Sequence, residues 1–216
     1  MNNWLNERSK LLAKYAEHMP KNASYVQVTF DPPKYGWICM HVFVNYNEKG
    51  YLTLSADTDE PFEKIIRWME NIVTSDYGVS LTRIDCDPNL VTIYFDPILY
   101  WEGYKGHADR DGYCGLFYIY DTDGHKIVVD ALCYDKDLIK AIYNSIIRYA
   151  IEMLQNKDFV HEWTSHLYND EIDGDNEDSE ELKGLFLDKV RSEVLEQYLG
   201  ITVKNEIFHG LSHEMR

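Results

Sequence analysis

Apolar residues recur along this chain in two periods, and the switches between them mark out its elements. Residues 4–19 carry Trp4, Leu5, Leu11, Leu12, Tyr15 and Met19 near one stripe, with Arg8, Lys10, Lys14 and Glu17 largely off it, which predicts an amphipathic helix stopped by Pro20. The period then shortens. Tyr25–Phe30 alternates and ends at Asp31-Pro32-Pro33. Trp37–Val44 is almost wholly apolar, as expected of a central strand or one covered on both faces. Asn47–Gly50 reads as a turn, with Tyr51–Ser55 returning from it as a hairpin. Asp59 is placed to cap a helix from about Pro61 to Val73, whose inner side carries Phe62, Ile65, Ile66, Met69 and Val73.

The second half repeats this rhythm. Ser80–Asp85 and Leu90–Phe95 flank a turn at Asp87-Pro88-Asn89, and a loop runs from Asp96 to Asp111. Gly115–Tyr120 and Lys126–Leu132 form a hairpin around Asp121–Gly124, and Asp135 is placed to cap a helix over roughly 136–155. That helix is apolar on two rows, Leu138/Ile142/Ile146/Tyr149/Met153 and Ile139/Tyr143/Ile147/Ala150/Leu154, so it is expected between layers. The sheet would cover one side of it. The other would be covered by the first helix or by one last long helix carrying Leu182, Leu185, Phe186, Val190, Val194 and Tyr198.

These elements point to an internal duplication. Phe30-Asp31-Pro32 recurs as Phe95-Asp96-Pro97, an offset of 65, while Phe43, Tyr46 and Gly50 match Phe117, Tyr120 and Gly124 at an offset of 74. The expected fold class is α+β: a mainly antiparallel sheet from two β-β-β-α units, with a long central helix and flanking N- and C-terminal helices. One domain is expected over 1–216, divided into the N-terminal helix (1–20), the duplicated core (24–155) and a C-terminal helical region (156–216) with an acidic linker at 170–181. The two offsets leave nine extra residues between strands of the second copy, within Tyr100–Asp111. A loop of that length inside a compact core is commonly functional.

Charge narrows the function. The chain has 21 Lys+Arg against 37 Asp+Glu, a net −16, and half of that excess lies in residues 170–181. Such acidity argues against a nucleic-acid partner and an anionic membrane surface, since both require Lys and Arg. No run approaches the length of a membrane span, and the first residues lack the apolar core of a signal peptide, so a cytoplasmic location is expected. Cys39, Cys86, Cys114 and Cys133 have no metal-ligand spacing and read as reduced thiols, mostly within strands.

Candidate chemistry is sparse. His107, Asp109 and Asp111 could begin a metal site, Glu102 and Asp109 an acid/base pair, and His107 with Cys114 a thiolate pair, yet none has the remaining partners its chemistry needs. His161-Glu-Trp-Thr-Ser-His166 has the second His one residue too far for a zincin helix. Asn169–Glu180 matches an EF-hand loop at its fifth, sixth and twelfth positions, but departs from it at Asn169, Glu171 and Asn176, and reads as a solvated acidic linker. No catalytic residue, metal or cofactor is expected.

What remains is a surface. Trp101 and Tyr104 are expected as anchors for a basic protein partner, with Glu102, Asp109 and Asp111 meeting its Lys or Arg. In charge, size and fold class the chain is similar to acidic immunity proteins of bacterial toxin–antitoxin-like pairs. That similarity implies a non-catalytic module that masks a basic partner. The alternative expectation is a small-molecule-binding protein or hydrolase-type enzyme using the 100–111 loop.

Overall fold

The computed structural model describes residues 2–16, 23–55, 60–75, 79–86, 89–97, 113–156, 159, 163 and 179–203. Helix α1 (Asn2–Ala16) precedes strands β1 (Val26–Phe30), β2 (Trp37–Val44) and β3 (Asn47–Ser55) and helix α2 (Pro61–Thr74). Strands β4 (Ser80–Cys86), β5 (Asn89–Pro97), β6 (Cys114–Asp121) and β7 (Lys126–Tyr134) follow, then helices α3 (Asp135–Met153), α4 (Ser179–Val190) and α5 (Glu193–Leu199). All strand pairing is antiparallel, and the fold is α+β as expected. The strands form two sheets rather than one, in the orders β1-β2-β3 and β4-β5-β6-β7.

One face of each sheet enters a common core with the inner sides of α2 and α3. Val28, Ile38, Met40, Val42 and Leu54 come from the three-stranded sheet, and Ile93, Phe95, Phe117, Ile119 and Ala131 from the four-stranded one. Rings of Phe30, Phe62, Tyr149, Phe159 and Phe186 lie 5.2–5.9 Å apart within this core. Hydroxyls on α3 tie down β1 and the residue after it: Ser145 donates to the Val28 carbonyl (2.6 Å) and Tyr149 to that of Asp31 (2.9 Å). The first of these bonds occupies a backbone acceptor that an edge strand otherwise leaves open. As its two apolar rows predict, α3 is buried on both, at Leu138, Ile142 and Ile146 and at Ile139, Tyr143 and Ala150.

The β1–β3 and β5–β7 meanders can be laid on one another strand by strand, though not at the single hairpin offset of 74. Phe30 pairs with Met40, and Phe95 with Phe117; Met40 pairs with Leu52, and Phe117 with Ala131. Corresponding strands therefore differ by 65, 77 and 79 residues. Both hairpins also carry a bulge at the same step, Lys49 in β3 and Val128 in β7. The offset of 74 fails because Tyr46 lies in a turn while Tyr120 lies in a strand, and Gly50 lies in a strand while Gly124 lies in a turn. With 77 in place of 74, the second unit carries twelve extra residues between these strands, not nine. At the bulges the sheets come together: a Cβ on Gly50 would sit 3.2 Å from Val129 Cγ2.

Other expectations shift locally. The first hairpin turns at Asn45-Tyr46, both with positive φ (52° and 66°), two residues before the expected position. Glu60 rather than Asp59 caps α2, accepting from the Phe62 amide at 3.0 Å. Tyr134 occupies the cap of α3, and Asp135 is its first residue. The last long helix is broken at Ser192, whose Oγ accepts from the Leu195 amide (3.2 Å) and donates to Glu70 of α2 (2.5 Å). β2 is central but alternates between buried and half-buried positions, whereas β6 is buried from Cys114 through Tyr120. Covering layers decide this, since both strands are apolar almost throughout.

Candidate functional site

The outer faces of the two sheets differ sharply. On the four-stranded sheet, Tyr94, Leu116, Tyr118, Tyr120 and Leu132 form a second buried cluster closed by Leu11, Trp4, Leu12 and Tyr15 of α1. Trp4 stacks on Tyr94 (5.5 Å), which stacks on Tyr118 (4.7 Å). Ion pairs rim the seat: Arg8 Nε donates to buried Asp96 at 2.5 Å, and both Lys14 and the Tyr15 hydroxyl donate to Asp130 at 2.5 Å. The equivalent face of the three-stranded sheet meets no covering element among the described residues.

Strand alternation puts Gln27, Thr29, Trp37, Cys39, His41 and Phe43 on that open face, with Glu48, Tyr51 and Thr53 across from them on β3. Tyr51 is 63% exposed, and Tyr25 and Tyr46 pack at 5.3 Å beside the hairpin turn, 51% and 80% exposed. The turn is fixed by the Asn45 side chain, which accepts from the Tyr25 amide at 2.9 Å. At the centre, His41 faces Glu48 through Nδ1 (2.8 Å) and Asp31 through Nε2 (3.0 Å). Both ring nitrogens can donate only in the imidazolium form. Hydrogen bonding to Glu48 first, then to Asp31, raises the His41 pKa above its ordinary value, against a smaller opposing effect of burial.

A cleft of about 600 Å³ adjoins this face, between β3 and the ends of β5 and β7. Lys49, Tyr51, Cys86, Asn89, Asp121 and Lys126 are among its walls. Two of its groups show no activation. Burial pushes the Cys86 thiol up to about 12, far from a working nucleophile. Asp121 Oδ1 is engaged by the amides of Asp123 and Gly124 in the hairpin turn.

Trp101, Glu102, Tyr104, Asp109 and Asp111 lie outside the described residues, as do His107, His161, His166 and most of Asn169–Glu180. The structure does show how the ends of the 98–112 segment are held. Asp96 is fixed by Arg8 before it, and after it the Tyr113 amide donates to Asp135 Oδ1 (2.8 Å) while the Asp135 amide donates to the Tyr113 carbonyl (2.9 Å). Cys114, the suggested partner of His107, is buried and its thiol is raised to about 11, the reverse of thiolate activation. All four cysteines are free, and three of them are buried. Among the described residues no three His, Cys, Asp or Glu side chains gather as metal ligands.

The open face was missed in the sequence because its residues alternate with core residues along one apolar run. The available signal was His41, the only charged or strongly polar side chain inside Trp37–Val44. No described helix is long and apolar enough to cross a membrane. The chain matches no protein-family model, no curated protein and no solved structure.

Proposed function

We propose that this chain is a non-catalytic binding module for a basic protein, engaging it through the outer face of the three-stranded sheet and masking it as an immunity protein masks its toxin. One observation carries the reading: of two faces built on the same register, one is sealed by a helix and the other presents Trp37, Phe43 and Tyr51 around Asp31, His41 and Glu48. Tyr and Trp are the residues that most often anchor protein interfaces. The charge of −16 supplies long-range attraction for a basic partner. The 100–111 loop, with Trp101, Glu102, Tyr104, Asp109 and Asp111, is proposed as a second contact surface.

Affinity capture from native cell extract tests this. Three baits are compared: the wild type, a variant with Asp31, Phe43, Glu48 and Tyr51 changed to Ala, and a variant with the five loop residues changed to Ala. The expected result is a basic protein held by the wild type in ~0.1 M salt, released near ~1 M as the screening length falls from about 10 Å to about 3 Å, and lost from the first variant. Capture unaffected by either set of substitutions overturns the reading. The cleft favours a second reading, a small-molecule site, since its volume lies within the usual range for ligand pockets. A bound metabolite recovered from purified protein, and lost on replacing Asn89 and Lys126, would establish that instead.

A further inference from the structure

We propose that the open face of the three-stranded sheet is the seat of a single amphipathic, cation-bearing helix from the partner, laid across β1–β3 as α1 lies across the four-stranded sheet. This rests on the binding-module reading and adds the partner's chemistry to it. The register makes the two seats comparable residue by residue. Asp31 stands where Asp96 does, His41 where Tyr118 does, Phe43 where Tyr120 does and Tyr51 where Asp130 does.

Dimensions select one helix. Three strands spaced about 4.8 Å apart give a face about 10 Å across, the width of one helix with its side chains. β2 has eight residues, about 26 Å of strand, and α1 has fifteen, about 22 Å of helix. Chemistry selects its sequence. α1 meets its sheet with Trp4, Leu11, Leu12 and Tyr15 and places Arg8 and Lys14, six residues apart, on Asp96 and Asp130. A helix on the open face finds Trp37 and Phe43 for its apolar stripe. Asp31 and Glu48, which bond the His41 ring, can take one cation in place of the imidazolium, and the Tyr51 ring takes a second where the other sheet offers a carboxylate.

The test uses the full chain and three synthetic peptides of about four helical turns. The first has a Leu/Trp stripe and two Arg six residues apart, the second is the same with a central Pro, and the third has the Arg replaced by Glu. Binding is followed by fluorescence anisotropy and located by amide shifts in heteronuclear NMR. The first peptide is expected to shift β1–β3 amides and to bind at least tenfold more tightly than either control. Asp31→Ala with Tyr51→Ala, both at exposed positions, should weaken it about tenfold, a loss of ~1.4 kcal/mol. Equal binding by the Pro peptide on the same face overturns the helical seat and leaves the basic-partner reading standing. Equal binding by the Glu peptide overturns both. Shifts confined to α1 and β5–β7 mean that the peptide replaces α1, and they overturn the seat. So does a concentration-dependent dimer joined through β1–β3, which makes a second copy the occupant. Silence from β1–β3 with all three peptides also overturns it, while loss of extract capture on the Asp31/Phe43/Glu48/Tyr51 substitutions would still uphold the broader reading.

Discussion

The two sheets share a ladder and differ in what lies behind it. Behind the four-stranded sheet, α1 closes a cluster in which Leu116 and Tyr118 are fully buried. Behind the three-stranded sheet, the corresponding Cys39 and His41 are half-buried, and the carboxylate that Arg8 would have met is held by an imidazole instead. Among the described residues, similar three-stranded frames are thus covered in one sheet and open in the other. A face that matches the other in register but meets no cover among the described residues is a stronger argument for the proposed binding than exposed aromatics alone, because single exposed apolar residues are ordinary on protein surfaces.

The sharpest way to break this comparison is to truncate matched positions. Leu116→Ala should cost about 2–5 kcal/mol, since it opens a cavity between β6 and α1. Cys39→Ala, at the equivalent site, should cost less than about 1 kcal/mol. Urea denaturation with an unchanged m-value reads both. Similar losses at the two sites would mean that the open face is covered in solution.

Matched carboxylates come next. Asp96 is buried and its Oδ2 takes the Arg8 bond, so Asp96→Asn should cost about 1.5–3 kcal/mol, the range for a hydrogen bond to a charged group. Asp31 is largely exposed, and Asp31→Asn should stay within about 0.5 kcal/mol. Thermal denaturation of the pair, read as the difference between the two shifts in Tm, checks the contrast. A larger loss at Asp31 would assign it a structural role and remove it from the proposed interface.

Much of this frame was legible in the sequence, for reasons that separate it from what was not. Strand positions followed from alternation or from short apolar runs between turns, and helix α3 from its two apolar rows, because these patterns depend on the chain's own periodicity. The Phe-Asp-Pro pair fell at different points of its two strands: β1 ends at Phe30, while β5 continues past Phe95 to Pro97, although both Phe side chains pack on the core. The second offset went astray because aromatics and Gly occur in turns and strands alike. A two-residue turn at Asn45-Tyr46 also replaced the four-residue one that Asn47–Gly50 suggested. Which sheet face α1 would cover was not legible, because that choice depends on long-range packing. Trp37–Val44 and Cys114–Asp121 look equally fit for burial as sequences, and only the position of α1 distinguishes them.

The starts of the helices that follow the two meanders give a smaller contrast. Glu60 caps α2 from a half-buried position, while Asp135 at the start of α3 is 3% exposed and its carboxyl pKa is raised, desolvation outweighing the bonds from the Lys136 and Tyr113 amides. A raised folded-state pKa means that the folded form binds the proton more tightly. Stability from this group therefore falls as pH climbs from about 4 through the raised value. Asp135→Asn keeps an acceptor for the Tyr113 amide and should flatten that fall, which chemical denaturation at several pH values would show. A slope unchanged by the substitution would place the effect elsewhere.

The smallest effect lies at the centre of the open face and bears directly on its use. Two carboxylates raise the His41 pKa above 6.5, so the folded chain favours the imidazolium. Its contribution to stability is complete below about pH 6.5 and fades as pH rises through the raised value. Asp31 and Glu48 bond the ring, Thr29 lies opposite it in β1, and Tyr51 is its ring neighbour at 6.1 Å. A cation arriving from a partner would compete with the imidazolium for Asp31 and Glu48, so binding should release a proton and tighten as pH rises from about 6 to 8. His41→Tyr places here the residue that stands at the equivalent position under α1. It should remove that pH dependence while leaving binding at pH 8 little changed. Calorimetry in two buffers of different ionisation enthalpy would count the protons released by the wild type and by the variant. Equal proton release from both would mean that the partner's cation does not meet the carboxylates of this face.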